Sequence, residues 1–242
     1  MNNLLISAAY KYVAMAVMLI QANQFLDGLH PAARHIITPQ DLRPGGHVAP
    51  PHLMGFSGSL LTTNYFFGFS NGRLANFKKT DFLPETQAGF REKIDEYAKM
   101  KSVIGTNEAH QLAIGWLAAL SVDVAQMERK HPPKITQLQF APDKTGKLET
   151  ERLPLPIFKI DWGSISMEGH SPEYNLPAMT MLIFGPTKEL VEFHMIDDAF
   201  VSKLKISIPN LEKLLAIPDE KFKGFSDTER SNLVKQAIAP MP

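Results

Sequence analysis

Apolar positions along the chain fall into three patterns. The first has no polar face. Tyr12 to Ile20 is an unbroken apolar run, and Val13 to Leu19 covers every side of a helix. The second repeats at helical spacing. Phe90, Ile94, Tyr97 and Lys101 fall at 4-3-4 intervals in a segment that opens with Pro84-Glu85, which predicts a helix over 84–101. Ala109, Leu112, Ala113, Trp116, Leu117 and Leu120 follow i, i+3, i+4, i+7, i+8, i+11, the strongest helix signal in the chain, with Thr106 as N-cap. Asp123 can cap a short continuation through Val124, Met127 and Glu128, and Pro132-Pro133 ends it.

The third pattern is extended. Residues 59–79 read as strand, turn, strand, with β-favouring Tyr65, Phe66, Phe67 and Phe69 before a Ser70-Asn71-Gly72 turn. Further strands are predicted at 134–140, 156–163, 178–184 and 190–195. Turn chemistry falls at Asp143–Gly146 and Gly185–Lys188, and a loop at 169–177. Prolines punctuate 25–55, where Thr38-Pro39-Gln40-Asp41-Leu42 can start one helical turn. Residues 209–238 lean helical, and Ser226-Asp227-Thr228-Glu229 matches a capping box.

These elements predict an α+β protein with helices packed on one side of a largely antiparallel sheet. The expected core is Phe67, Phe69, Leu74, Phe90, Ile94, Leu112, Trp116, Leu120, Phe158, Ile160, Met181, Ile183, Leu190 and Phe193. Residues 23–205 read as one domain and 206–242 as a helical extension. Phe69 to Phe77 echoes Phe184 to Phe193: each has Phe, a polar turn, Leu, two residues, then Phe. That suggests two related helix-plus-hairpin units, with the echo inside 56–82 and 134–198. On a regular strand each Leu and its Phe would face opposite ways, and a bulge would alter this.

The apolar run also bears on compartment. One charge, Lys11, precedes it, and small Ala22 follows it, which reads as a secretory signal peptide cut after residue 22 and an exported, periplasmic or secreted bacterial protein. An uncleaved anchor touching the membrane through residues 4–24, and a soluble helix, are the alternatives.

Composition narrows the chemistry. The 242 residues include 25 basic and 25 acidic side chains and no cysteine. Disulfides, thiolate metal sites and a cysteine nucleophile are therefore excluded. The first 121 residues carry ten basic and eight acidic side chains and the rest fifteen and seventeen, so neither half is a phosphate-binding face and no nucleic-acid partner is expected.

Gly68-Phe69-Ser70-Asn71-Gly72 matches the G-x-S-x-G elbow of serine hydrolases, with Asp161 and His170 or His194 in the required order. That chemistry needs a helix after Gly72, whereas Arg73–Phe77 reads as strand. The pairs His30/His35 and His47/His52, and the clusters Glu168/His170 and His194/Asp197/Asp198, lack the spacing of a recognised metal motif, so no metal or cofactor is expected. Glu149/Glu151, Asp161/Glu168 and Asp197/Asp198 are the carboxylate pairs available for acid–base work.

A helix like Thr106–Leu120 followed by antiparallel strands and a late hairpin like Phe184–Phe193 resembles the PepSY and cystatin-like arrangement over 102–198, with Gly185-Pro-Thr-Lys188 where the PepSY hairpin carries Asp-x-x-x-Gly. Thr106-Asn-Glu-Ala-His-Gln-Leu-Ala, Val122-Asp-Val-Ala-Gln-Met-Glu-Arg129 and Phe184-Gly-Pro-Thr-Lys-Glu189 are similar to a family of exported bacterial proteins with no assigned activity. The resemblance implies a non-catalytic domain and supplies no catalytic residue. The expectation is an exported binding or interaction domain for a protein or small molecule, with Tyr65, Trp162 and His170 as ligand contacts near the aromatic strand and the 163–177 loop. The alternatives are a hydrolase using Ser70 and a membrane-anchored structural protein.

Overall fold

The computed structural model describes residues 6–29, 36–49, 56–83, 87–120, 122–140, 153–163, 165–166, 175–196 and 208–238. In chain order the elements are α1 (Ala8–Leu29), a 3-10 turn (Pro39–Asp41), β1 (His47–Val48), β2 (Gly58–Leu61), β3 (Tyr65–Ser70) and β4 (Arg73–Lys79). Then follow α2 (Gln87–Tyr97), α3 (Thr106–Ala119), α4 (Val124–Lys130), β5 (Pro133–Phe140), β6 (Leu153–Trp162), β7 (Ile165–Ser166) and β8 (Asn175–Leu176). The chain continues with β9 (Met179–Phe184), β10 (Glu189–Met195), α5 (Ile208–Leu215), α6 (Asp219–Lys223) and α7 (Asp227–Ile238). The class is α+β with antiparallel pairing, as the pattern predicts.

The chain divides into two compact units, Met1–Asn76 with Ser202–Pro242, and Phe77–Val201. This division differs from a single domain over 23–205 with a C-terminal extension. The reason lies in α1, whose apolar residues face all ways and need cover on several sides. Tyr10, Val13, Ala14 and Val17 pack with Phe56, Leu214 and Ala237, so the C-terminal helices share a core with the N-terminal one. Polar bonds fix the junction. The Ser7 hydroxyl donates to the Leu214 carbonyl at 3.0 Å, and the Ala8 N–H, in the first turn of α1, donates to Asp219 Oδ1 at 2.8 Å. Burial pushes the Tyr10 phenol up to about 12. In α7, Ser226 and Glu229 form the expected reciprocal cap, with Ser226 N–H to Glu229 Oε2 at 2.7 Å.

In this first unit the strands run in the order β1-β2-β3, followed by the start of β4. Leu60 pairs with Phe67 across β2–β3. The expected strand from residue 59 to the Asn71 turn is two strands, because Thr62 turns the chain. Its hydroxyl accepts the N–H groups of Asn64 and Tyr65, at 3.3 and 3.0 Å, and offers the backbone an alternative to the ladder. The β3–β4 turn is the tight hairpin that Asn-Gly predicts, with φ of 53° at Asn71 and 80° at Gly72.

The second unit orders its strands β10-β9-β6-β5, with β7 and β8 as a separate two-strand ladder. Register places Phe158, Ile160 and Trp162 of β6 opposite Ile183, Met181 and Met179 of β9, all on one face. Ile157 and Phe184 lie on the other. Helix α2 brings Ile94 and Tyr97 to that second face, with Leu155 and Val191. The α3–α4 pair lies on the Trp162 face, where Glu128 accepts the indole N–H at 3.2 Å. Helices placed on one side of the sheet were expected; in this unit α2 and α3–α4 take opposite faces. The physical reason is that β6 and β9 carry apolar side chains on both faces, and both require cover. Beyond α2 the second face turns polar, where Thr180 and Lys159 both bond Asp161.

The two echoed hairpins differ in their turns. The β9–β10 connection has Lys188 at φ 60°, and a register shift falls between Leu190 and Glu192. That bulge returns Leu190 and Phe193, opposite Ile183 and Met181, to the same face.

Candidate functional site

An open polar concavity lies among described residues of the first unit. It is an open cleft of about 640 Å³, between the stretch 36–43 and the turn 62–65. Neither wall belongs to a long element, yet both are locked by hydrogen bonds. Thr38 donates its N–H and its hydroxyl to Asp41 Oδ2, at 2.8 and 2.7 Å, which closes the 3-10 turn. Asn23 of α1 grips Ile37 from both sides: its amide donates to the Ile37 carbonyl at 2.9 Å and its oxygen accepts the Ile37 N–H at 2.6 Å. The Arg43 N–H donates to the Leu61 carbonyl at 2.7 Å and ties the first wall to β2. The second wall is held by Thr62, whose N–H donates to the Tyr65 carbonyl at 2.9 Å.

The lining carries one carboxylate (Asp41), one guanidinium (Arg43), two amides (Gln40, Asn64), two hydroxyls (Thr62, Thr63) and the ring of Tyr65. The Thr38 hydroxyl, then its N–H, holds the Asp41 carboxyl below the usual carboxylate range, so Asp41 is ionised at neutral pH. Asp41 and Arg43 balance, and the cleft presents no net charge. Tyr65 shares its face of β3 with Phe67, whose ring lies 5.9 Å away. Phe67 and Phe69 are buried, so Tyr65 is the member of that aromatic row at the cleft.

Of the ligand contacts expected from sequence, Tyr65 lines this cleft. Trp162 does not meet a ligand surface. Its side chain is 0% exposed, and its N–H is spent on Glu128 Oε1, which His110 Nε2 also approaches at 2.7 Å. Consecutive β6 residues bury on both faces, and the end of a predicted strand gave no sign of which side α4 would cover. His170 lies outside the described residues, as do most of the 163–177 loop and the pairs Glu149/Glu151 and Asp197/Asp198. Tyr65 and Trp162 fall in different units.

At Ser70 the next element after the turn is strand β4, so the strand-to-helix elbow is not formed there. Ser70 belongs to the first unit, and Asp161 and His194 to the second. A different serine meets a histidine: Ser59 Oγ lies 2.9 Å from His47 Nδ1 across the β1–β2 pair. Ser59 is buried in a regular ladder position, which makes the contact a cross-strand pair. Among the described residues, no group of three His, Asp or Glu side chains is placed to hold a metal ion. No helix among them is long and apolar enough to cross a membrane.

Sequence reasoning missed the wall at 36–43 and the turn at 62–64. The helical-turn signal at Thr38-Pro39 was visible, but nothing in it says which turn stands opposite. Compared with protein-family models, with curated proteins and with solved structures, the chain finds no match in any of the three.

Proposed function

We propose that this protein is a non-enzymatic binding domain whose small polar ligand seats in the cleft around Tyr65. The observation that carries this reading is a cleft of about 640 Å³, within the range of small-ligand sites, with both walls held by internal hydrogen bonds. A wall already locked loses little freedom when a ligand arrives, and preorganisation of this kind favours binding. The test is a thermal-shift screen of small polar compounds against the native chain, Tyr65→Ala and Thr63→Trp. The first variant removes the ring and the second fills the cleft. Compounds that stabilise the native chain are expected to lose most of that effect in both variants. Equal stabilisation of Thr63→Trp sinks the reading.

We also propose that α1 stays in the folded protein. The export reading drew on sequence alone, and cleavage after Ala22 would remove Tyr10, Val13, Ala14 and Val17 from their packing with Phe56, Leu214 and Ala237. Burial of a large apolar side chain stabilises by about 1.5–3 kcal/mol, so the loss of several is incompatible with a marginally stable unit. Intact mass of the protein from a bacterial host, with fractionation, decides this. A folded product that retains α1 is expected; a folded product lacking residues 1–22 overturns it.

A further inference from the structure

Resting on the reading of the cleft as a ligand site, we propose that its ligand is a neutral saccharide. The argument is one of matching donors and acceptors. A sugar hydroxyl both donates and accepts, and it is best met by groups that do the same. Gln40 and Asn64 each carry donor and acceptor groups and line the cleft. Arg43 adds donors only, and ionised Asp41 adds acceptors only.

Charge disfavours a simple anion or a simple cation. A phosphate or other anion would meet Arg43 but also the Asp41 carboxylate two residues away. A cation would meet the reverse. An ammonium group needs acceptors, and Asp41 Oδ2 already accepts twice from Thr38, which leaves Oδ1. A neutral polyol pays no such penalty on either side. The ring of Tyr65 supplies an apolar plane with a polar tip, suited to a ligand whose ring faces are C–H and whose edges are hydroxyl. The half-buried wall residue Leu42 and buried Ile37 add apolar contact at the same cleft.

The experiment is a backbone-amide NMR titration of the full chain. The probes are maltotriose, cellotriose, mannotriose and triacetylchitotriose, with glycylglycine and inorganic phosphate as controls. At least one saccharide is expected to shift the amides of Gln40, Thr63 and Asn64, and Asn64→Ala and Gln40→Ala are each expected to weaken it about tenfold, the loss of one good hydrogen bond. Unchanged amide positions elsewhere show that each variant folds. Shifts at the cleft with glycylglycine or phosphate but with no saccharide overturn the saccharide inference while the cleft stands as a ligand site. Saccharide shifts confined to residues away from the cleft overturn it too. No shift at the cleft with any probe overturns it as well, and the thermal-shift screen then decides the cleft independently.

Discussion

In the unit formed by Met1–Asn76 and Ser202–Pro242 the other elements gather around a helix; in Phe77–Val201 they gather around a sheet. Helix α1 is covered by α5, α6 and α7, which lie near the opposite end of the chain, and the bonds from Ser7 and Ala8 span more than 200 residues. The sheet of the second unit is built from β5, β6, β9 and β10, each antiparallel to its neighbour and close in sequence. The difference teaches where stability is exposed to damage. Helix α1 depends on distant segments to cover Tyr10, Val13, Ala14 and Val17, and it tolerates charge only on its exposed side, where Lys11 and Asp27 lie. A sheet spreads its burial over many strands, and one truncation leaves most of it in place.

The largest expected effect follows from that contrast. Val13→Asp puts an unpaired carboxylate among Tyr10, Phe56 and Leu214 and is expected to cost more than about 4 kcal/mol, enough to unfold the first unit. Amide exchange should show protection lost across α1, α5 and α7. Retained protection there would mean that α1 is not the organising element.

Ile157→Ala in the second unit removes a side chain packed with Ile94, Tyr97 and Phe184 and should cost about 2–4 kcal/mol. Urea unfolding with the native slope is expected, since the sheet survives. A loss as large as that from Val13→Asp would erase the contrast.

The two echoed hairpins allow a finer comparison. Gly72→Ala forces a side chain into φ 80° and should destabilise by about 1 kcal/mol, whereas Lys188→Gly relieves φ 60° and should stabilise by up to about 1 kcal/mol. The exposed Lys188–Glu108 ion pair, lost in the second variant, offsets little of this. Equal signs in denaturation midpoints would show that turn strain does not distinguish the hairpins.

A further effect appears in alkali. The Tyr10 phenol ordinarily ionises near 10 and is held up to about 12 in the fold. Between those values the unfolded chain has released the proton and the folded chain keeps it, so stability falls as pH rises through that window. Tyr10→Phe should flatten this fall. An unchanged slope would place the alkaline sensitivity elsewhere, with Tyr97, whose phenol burial also raises, as the next group to replace.

Much of the local structure was legible in the residues. Asp123 caps α4 through the Gln126 N–H, Ser226 and Glu229 cap α7, and Asn71-Gly72 makes the tight turn, because each signal acts within four residues of itself. The N-cap of α3 is Gly105 rather than Thr106, an offset of one residue. The candidate site was legible only in Tyr65. The opposite wall sits in a proline-punctuated stretch with no periodicity, and its partners Asn23 and Leu61 come from an apolar helix and a strand end.

The sequence by itself determined the α+β class, the helical stripes, the caps and the hairpin turn, since these depend on spacing and on backbone preferences carried by each residue. Tertiary structure decided the rest. It put α1 under the C-terminal helices, buried Trp162 against Glu128, placed α2 and α3–α4 on opposite faces, and set residues 36–43 beside 62–65 to form a cleft. Those outcomes depend on which apolar surfaces meet, and that choice is made by the folded chain as a whole, not within any one segment of it.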